Sequence, residues 1–393
     1  MKLKLKDFLI PVILAILLIA SFSYGKYTGR LECKICPPEE VDFSLFWQTW
    51  DLLQEKYVDK TKLNTQEMIY GAISGMVNSL EDPYTVFFKP DETKRFIDDV
   101  KGTFEGVGME VGIREGQVQV IAPLEGTPAQ KAGLRAGDKI IMIDGKPTAD
   151  LTVEEVINLI RGQRGTAVTL TIFRQEWGEN RDIKIVRGLI EIPSLKLEIK
   201  ENNIAYLRIY QFSENAAYDF SGAAVEILNS PAQKIVLDLR DNPGGYLEVA
   251  QDIAGWFLKE DSIVALEDKG IGKEKRLFKA EGNTKLSTYP VVVLINGGSA
   301  SGSEILAGAL RDNRGVKLIG ETSFGKGSVQ ELEELREGSS LKITTAKWLT
   351  PNGESISEKG LEPDIKIEMT EADYQSGKDP QLDKAIEVLN EMR

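Results

Sequence analysis

The sequence of 393 residues contains no histidine. Imidazole is the general base of Ser-His-Asp triads and a common ligand of transition metals, so such a triad and a histidine metal site are both excluded. The two cysteines present, Cys33 and Cys36, cannot build a disulfide framework or complete a structural zinc site by themselves. We therefore expect no metal and no organic cofactor. A local or inter-chain disulfide is the expected role of the cysteines.

The sequence has fewer basic than acidic residues. Lysine and arginine total 48 against 61 acidic residues, which gives a net charge of −13. A chain with this balance offers no broad basic surface for phosphate groups, so we expect no nucleic-acid partner. The proportions of hydrophobic (42%) and charged (28%) residues are those of a folded protein. The length predicts two or three domains.

Long hydrophobic runs are also missing, except at the N-terminus. Three lysines among the first six residues precede an uncharged stretch at 8–25. This pattern predicts a membrane helix within residues 1–25 that serves as a signal anchor. The lysines would stay on the cytoplasmic side, and the rest of the chain would lie on the periplasmic or cell-surface side. A cleaved signal peptide, which would give a secreted protein, is the alternative.

Hydrophobic periodicity divides the remaining sequence and predicts a multidomain fold of the α/β (α+β) class. The apolar faces at 41–80 and 379–393 predict either contacts in a homo-oligomer or docking within the chain. The predicted segments are a linker at 26–40, an N-terminal helical region at 41–101, a strand-rich domain with one helix at 102–187, a mixed α/β domain at 188–370 and a C-terminal helix at 371–393.

A turn rich in serine and glycine follows an apolar strand at 291–295 and leads into an apolar helix. Such a turn exposes a side chain beside the unpaired N–H groups of a helix start, which suits the binding of an oxyanion. The turn carries Ser299, Ser301 and Ser303. We interpret Ser301, at the apex, as a nucleophile and Ser303 as the helix cap. The alternative is a turn without chemistry.

Without histidine, a nucleophilic serine needs another base, and Lys326 is the best candidate. A lysine acts as a base only when neutral, so its pKa must fall from about 10.4 to roughly 7–8. Burial without an adjacent carboxylate would lower the pKa in this way, and the flanking Gly325 and Gly327 allow the backbone to approach closely. We expect the amide of Gln330 to orient the amine. An exposed loop lysine is the alternative.

A second loop, at 238–245, also follows a buried strand. Its paired glycines place backbone N–H groups at the edge of the predicted sheet. One of Gly244 and Gly245, together with Gly302, is expected to donate N–H groups to the oxygen of a tetrahedral intermediate, as an oxyanion hole does. A Gly-Gly turn required only for its shape is the alternative.

Together with other motifs, these residues give a pattern that resembles the carboxyl-terminal processing peptidases, also called tail-specific proteases. The resemblance implies Ser301 as nucleophile, Lys326 as general base and Gln330 as the residue that holds the lysine. Glu304 falls where some members have an acidic residue tied to activity. The implied fold is a mixed α/β peptidase core with a crotonase-like strand–turn–helix at the active site and an inserted PDZ domain. The matching segments are 81–85, 106–109, 238–245, 299–301, 322–327, 348–353 and 360–364.

The implied PDZ domain fits the strand-rich segment at 102–187. A glycine-containing loop at 106–108 is expected to hold a terminal carboxylate with its N–H groups, and the strand after it is expected to pair with an extended peptide. A helix at 152–160 would close the groove and its apolar pocket. Arg161 is expected to contact the bound tail or the peptidase core, and a solvated cation at a helix end is the alternative. The predicted peptide-binding residues are Gly106, Val107, Gly108, Met109, Val111, Val156, Ile160 and Arg161.

The sequence therefore predicts an extracytoplasmic serine endopeptidase that binds unstructured apolar C-termini through its PDZ domain and cleaves them through a Ser-Lys dyad and an acyl-enzyme. The alternatives are a catalytically inactive PDZ adaptor for C-terminal tails and an esterase or acyl transferase that acts on a non-peptide. The expected partners are protein or peptide tails and the membrane.

Overall fold

A computed structural model of the chain describes residues 16–22, 24, 41–114, 116–124, 126–191, 193–357 and 359–392. The predicted linker at 26–40, with both cysteines, lies outside these residues, as does most of the predicted membrane helix at 1–25. Within the described part of the chain, no helix combines the length and the apolar character that a membrane crossing requires.

The chain divides into two compact units, 1–71 and 72–393. Short 3₁₀ turns occur at Lys60–Lys62, Glu201–Asn203 and Arg336–Gly338. The described helices are α1 Ser44–Lys56, α2 Thr65–Asn78, α3 Pro90–Val100, α4 Pro128–Lys131, α5 Val153–Ile160, α6 Ala216–Asn229, α7 Leu247–Phe257, α8 Gly302–Arg314, α9 Glu371–Ser376 and α10 Pro380–Glu391. The described strands are β1 Val86–Phe88, β2 Thr103–Gly106, β3 Met109–Arg114, β4 Gln117–Pro123, β5 Lys139–Ile143, β6 Lys146–Pro147, β7 Ala167–Phe173, β8 Asn180–Val186, β9 Gly188–Glu191, β10 Leu195–Lys200, β11 Ile204–Ile209, β12 Lys234–Asp238, β13 Ile263–Asp268, β14 Arg276–Lys279, β15 Val291–Ile295, β16 Lys317–Gly320, β17 Ser328–Glu334, β18 Ser340–Leu349 and β19 Ile365–Lys366.

The first unit, taken by itself, contains the amphipathic helix α1. None of the residues of α1 is buried, and its Leu45, Trp47 and Leu52 are exposed. The rings of Phe46 and Trp47 meet edge to face at 5.1 Å between centroids. Self-association through residues 41–80 stays a prediction.

The segment at 72–101 is not purely helical, contrary to the prediction for 41–101. β1 pairs antiparallel with β18, with Val86 opposite Lys342. The helix α2 stops before Pro83, and the aromatic and β-branched residues that follow favour an extended backbone. Phe87 is buried, so β1 belongs to the sheet that contains β18 rather than to a separate helical region.

A separate sheet with its own apolar core lies in the segment predicted to be a PDZ domain. Its strand order is β3-β4-β5-β7-β8, with β6 paired to β5. The helix α5 packs on this core and begins at a capping box, in which Glu155 Oε2 accepts the N–H of Thr152 at 2.8 Å. The first and last strands of this segment lie next to each other, because β2 pairs antiparallel with β9.

The central sheet of the mixed α/β domain predicted at 188–370 has the order β10-β11-β12-β15-β16-β19. Its strands are parallel from β11 onward. Alternate residues face opposite sides: Leu207, Leu237 and Val293 pack toward α6, α7 and α8. Their neighbours in sequence pack toward α10, of which Ala385 and Leu389 are fully buried. Both faces of the sheet are covered, which explains why its strands are almost continuously apolar.

The carboxyl ends of β12, β15 and β16 lie at the same edge of this sheet. In a parallel sheet, loops that leave this edge from neighbouring strands come close together. The loop at 238–245, the serine turn and the segment leading to Lys326 all leave the sheet here. A second sheet, β1-β18-β13-β14 with β17 paired to β18, contains the strands that follow Lys326.

Candidate active site

Ser301 lies in the turn between β15 and α8 and is the N-cap residue of α8. Its backbone has a φ of 53° and a ψ of −112°, a sparsely populated conformation for a residue with a side chain. The turn is tied to the loop at 238–245, because the N–H of Ala300 donates to the carbonyl of Asn242 at 3.0 Å. A strained residue at a strand–turn–helix is the geometry expected of an exposed nucleophile.

The other two serines of the turn are structural. The hydroxyl of Ser299 donates to the carbonyl of Leu239 at 2.8 Å, and that of Ser303 donates to the carbonyl of Asn242 at 2.9 Å. Both serines are fully buried. The prediction that Ser303 caps the helix is wrong, because its hydroxyl faces the neighbouring loop and Ser301 holds the cap position.

A buried carboxylate, Glu304, joins the nucleophile turn to the segment of the candidate base. Its Oε2 accepts the N–H of Ser301 at 2.8 Å and the N–H of Lys326 at 3.0 Å. Its Oε1 accepts the N–H of Gly325 at 2.7 Å and the hydroxyl of Ser323 at 2.6 Å. Burial raises the pKa of Glu304, while these four hydrogen bonds lower it.

Burial lowers the pKa of Lys326 below its ordinary value of 10.5, and the charge of Glu304 opposes this change. Of the two conditions named for a lowered pKa, burial is therefore met and the absence of an adjacent carboxylate is not. The oxygens of Glu304 accept backbone N–H groups and a hydroxyl, and among the described side chains no ion pair joins Glu304 to the amine of Lys326. The amine lies 5.8 Å from the ring centroid of Tyr84. Lys326 is thus a partly buried amine whose pKa is lowered, so a larger fraction of it is neutral at a given pH than for an exposed lysine.

A second lysine, Lys342 on β18, lies close enough to repel Lys326. Burial lowers the pKa of Lys342, the charge of Lys326 lowers it further, and Asp82 raises it. The amine of Lys342 lies 5.5 Å from the ring centroid of Phe88 and 5.2 Å from that of Phe96. Sequence reasoning missed this residue, because a lysine within a strand gives no signal until the strand pairing is known.

Gln330 lies on β17 opposite Thr344. Its Nε2 donates to the hydroxyl of Ser328 at 2.6 Å. Among the described residues, no hydrogen bond joins Gln330 to Lys326. The predicted contact between amide and amine is therefore not made in this conformation.

The three glycines predicted to form an oxyanion hole differ in their hydrogen bonding. The N–H of Gly244 donates to the side chain of Asn242 at 2.9 Å, so it is already occupied. In the described part of the chain, the N–H groups of Gly245 and Gly302 have no hydrogen-bond partner. A Cβ on Gly244 would lie 2.8 Å from the Cβ of Ser301. Gly244 is therefore needed for the close approach of the two loops, and Gly245 with Gly302 offers the free donors.

Asn242 is a site residue that sequence reasoning missed. It is fully buried, and its Nδ2 donates to the carbonyl of Ile209 at 2.9 Å. Its side chain also shapes the turn through Gly244, and its carbonyl accepts from Ala300 and Ser303. An asparagine before Pro-Gly-Gly is a turn signal, but only the folded chain shows that it fixes two loops.

A cavity of about 530 Å³ opens between the PDZ domain and the peptidase core. The prediction for Val156 is wrong, because this residue is fully buried in the PDZ core. The next residue on α5, Ile157, lines the cavity instead. Gly106 lies in β2 opposite Gly188, and it is not among the residues that line the cavity. The predicted residues that do line it are Val107, Gly108, Met109, Val111, Ile160 and Arg161.

Val107 and Gly108, in the loop between β2 and β3, line this cavity. Among the described residues, the N–H groups of Val107 and Gly108 have no hydrogen-bond partner. Gly108 has a φ of 77°, and a Cβ there would lie 2.9 Å from a methyl of Ile190. Glycine is therefore required at this position, and two N–H groups face an apolar cavity without a protein acceptor.

Arg161 bridges the PDZ domain and the peptidase core. Its Nη1 donates to both oxygens of Asp99, at 2.8 and 3.0 Å, and its guanidinium lies 4.7 Å from the ring centroid of Phe104. Asp99 belongs to α3 and is itself tied to the core, since Gln211 donates to its carbonyl at 2.8 Å. The alternative of a solvated cation is therefore wrong in this conformation.

The Gly244→Ala substitution is predicted to destabilise the fold. Alanine would have to adopt a φ of 101° and would place a Cβ against Ser301, so we expect a loss of about 2–3 kcal/mol in the free energy of unfolding. Gly297→Ala is the matched control, because no atom lies within 4 Å of its added Cβ, and a change below about 0.5 kcal/mol is expected. Urea unfolding of both variants measures the difference, and equal stabilities would contradict the prediction.

Comparison with known proteins gives three matching families. Peptidase family S41 matches residues 203–367, a PDZ domain matches residues 119–174, and the N-terminal domain of the activating protease CtpB matches residues 34–93. The S41 match includes the serine turn, Lys326 and the loop at 238–245. The PDZ match lies within the separate sheet described above.

Relatives match over most of the chain. The carboxy-terminal processing protease CtpA of Bacillus subtilis (strain 168) is 38% identical over 373 residues, which cover 94% of this chain and 78% of the relative. CtpB of the same organism is 36% identical over 344 residues, which cover 87% and 70%. The structure of the photosystem II D1 C-terminal processing protease superposes with a TM-score of 0.53 at 28% identity, covering 82% and 92%. The chain therefore belongs to the carboxy-terminal processing proteases of peptidase family S41 and is a serine endopeptidase.

Proposed function

We propose that this peptidase acts outside the cytoplasm, binds unstructured apolar C-termini through its PDZ domain, and cleaves the bound protein with a Ser301–Lys326 dyad. The observation that carries the proposal is the carboxylate of Glu304, which accepts the N–H groups of both Ser301 and Lys326. This arrangement brings a strained serine and a partly buried lysine to one edge of the central sheet.

In the proposed reaction, the neutral amine of Lys326 accepts the proton of the Ser301 hydroxyl as the oxygen attacks the peptide carbonyl. The N–H groups of Gly302 and Gly245 stabilise the negative oxygen of the tetrahedral intermediate. Lys326 then gives its proton to the leaving amine, and an acyl-enzyme forms on Ser301. Water, deprotonated by Lys326, releases the product acid and restores the serine.

The proton transfer needs a rearrangement of side chains. Among the described residues, no hydrogen bond joins the hydroxyl of Ser301 to the amine of Lys326, and none joins Gln330 to that amine. A lysine side chain has four rotatable bonds and can change its rotamer on binding of substrate. Gln330 would then orient the amine after this change, in the role that the sequence predicted.

The tail-binding part of the proposal is supported by the cavity of the PDZ domain. The unpartnered N–H groups of Val107 and Gly108 suit a terminal carboxylate, and β3 can pair with an extended peptide. Met109 and Val111 of β3 and Ile157 and Ile160 of α5 line the cavity with apolar surface. A C-terminal residue with an apolar side chain fits this combination.

A peptide with an apolar C-terminal tail tests the proposed function. The wild-type protein should cleave it, and Ser301→Ala should lower the rate by at least about a thousandfold, because the nucleophile is lost. The same peptide with an amidated C-terminus should be cleaved more slowly, because the PDZ loop loses its anionic partner. Mass spectrometry of the products measures both effects. Equal cleavage by wild type and Ser301→Ala would refute the dyad, and tail binding by the wild type without cleavage would indicate an adaptor.

The pH dependence of kcat/KM tests Lys326 as the base. Burial lowers the pKa of Lys326 and Glu304 opposes it, so activity should rise with pH through this lowered pKa and level off below the ordinary 10.5. Lys342→Met removes a neighbouring positive charge, which should raise the pKa of Lys326 and move the rise to higher pH. Lys347→Met, an exposed position on the same strand, is the control and should leave the profile in place. Identical profiles for all three proteins would contradict the assignment.

The proposed location rests on the lysines and the uncharged stretch within residues 1–25. In intact cells that carry the full chain, a protease added outside the cytoplasmic membrane should digest residues 41–393. Protection of these residues until the membrane is broken would contradict the proposal.

A further inference from the structure

The N-terminal end of α10 contacts the candidate site through a buried polar cluster. We define the Arg240 cluster as Asp238, Arg240, Asp379 and Gln381. The guanidinium of Arg240 donates to Asp238 Oδ2 at 2.6 Å, to the two oxygens of Asp379 at 2.9 and 2.8 Å, and to Gln381 Oε1 at 3.0 Å. The start of the C-terminal helix is therefore fastened to the loop that follows β12.

The loop held in this way carries one of the candidate oxyanion donors. Arg240 lies five residues before Gly245, and its own N–H donates to Asp238 Oδ1 at 3.0 Å. Asn242 fixes the second half of the loop against Ile209 and the serine turn. The Arg240 cluster fixes the first half, so the position of the Gly245 N–H depends on both attachments.

Gln381 extends the same contact to the segment of the candidate base. It is fully buried, and its Nε2 donates to Ile367 O at 2.7 Å and to Glu321 Oε1 at 3.3 Å. Glu321 follows β16 directly and begins the segment that leads to Lys326. One amide side chain thus contacts both loops that flank Ser301.

Docking of α10 does not by itself require these polar groups. Ala385 and Leu389 anchor the helix in an apolar cluster with strand residues such as Val236 and Val292. Burial of charged groups carries a desolvation cost that apolar packing avoids, so a buried ion pair is weak evidence for stability. The geometry of the Arg240 cluster fits a role in placing the loops better than a role in holding the helix.

We propose that Asp379 and Gln381 are positioning residues for the peptidase reaction. They act through Arg240 on the Gly245 N–H and through Glu321 on the Lys326 segment, so the start of α10 belongs to the catalytic unit. The proposal rests on the proposed Ser301–Lys326 chemistry.

Three substitutions in the full chain test the proposal. Asp379→Asn keeps an oxygen to accept the N–H of Leu382, now at 2.9 Å, but removes the charge opposite Arg240. Gln381→Leu keeps the approximate volume and removes both hydrogen-bonding functions. Leu389→Ala is the control, because it loosens α10 in its apolar cluster and touches neither loop.

We expect Asp379→Asn and Gln381→Leu to lower kcat about tenfold and to change KM less than twofold. The reason is that misplaced groups stabilise the transition state less, while binding of the substrate is little changed. Inhibition by a peptide boronic acid, which mimics the tetrahedral intermediate, should weaken by a similar factor. Leu389→Ala should lower Tm by at least as much as the other two substitutions do, while its kcat stays within twofold of the wild-type value. A kcat loss that follows Tm across all three variants would overturn the proposal.

Amide hydrogen exchange without substrate gives a second readout that does not depend on activity. Exchange should quicken at 241–246 and 321–327 in Asp379→Asn and Gln381→Leu, and stay unchanged there in Leu389→Ala. Unchanged exchange in the first two variants overturns the proposal. If the wild-type protein fails to cleave the tailed peptide, the proposed function fails instead, and the exchange result alone decides whether the cluster positions the loops.

Discussion

The arrangement of the site depends on one buried carboxylate that accepts four hydrogen bonds. Glu304 is fully buried, and it holds the backbone of Ser301 and of the segment at 323–326 at the same time. Because its oxygens are occupied by these donors, it forms no described ion pair with the amine of Lys326. Its charge still favours the protonated amine, and burial outweighs that effect. A structural carboxylate and a lysine of lowered pKa therefore lie side by side.

The central sheet explains why these segments meet. Its central strands β12 and β15 are covered on both faces, so their side chains are almost all apolar and the polar groups of the site lie in the loops that follow them. The loops after β12, β15 and β16 leave the same edge and supply Gly245, Ser301 and Lys326 in turn. Asn242 and Glu304 then connect neighbouring loops by hydrogen bonds. The positions of these candidate catalytic groups follow from strand order first and from buried polar contacts second.

Local sequence was sufficient where one segment determines its own conformation. The strand–turn–helix around Ser301, the capping box of α5 and the glycines beside Lys326 were all predictable, since each depends on residues close in sequence. Contacts between distant segments were not. Which of Gly244 and Gly245 keeps a free N–H group depends on Asn242, whose side chain accepts the N–H of Gly244. The hydroxyl of Ser303 donates to the carbonyl of Asn242, 61 residues away, and does not cap its own helix. Ile157 lines the cavity in place of the predicted Val156, because a helix period of 3.6 residues fixes a face only to within about one position. The strand at 86–88 was missed because its partner is β18, far along the chain.

The pairing of β2 with β9 brings the entry and exit of the PDZ domain together, with Thr103 opposite Glu191. A module whose two connections leave its host side by side can be inserted or exchanged without reordering the host sheet. Under the proposed function, the residues that bind the tail and those that cleave the bond therefore lie in separable stretches of the sequence. If the PDZ domain selects the tail as proposed, exchange of this one domain would change the set of substrates and leave the peptidase core unaltered.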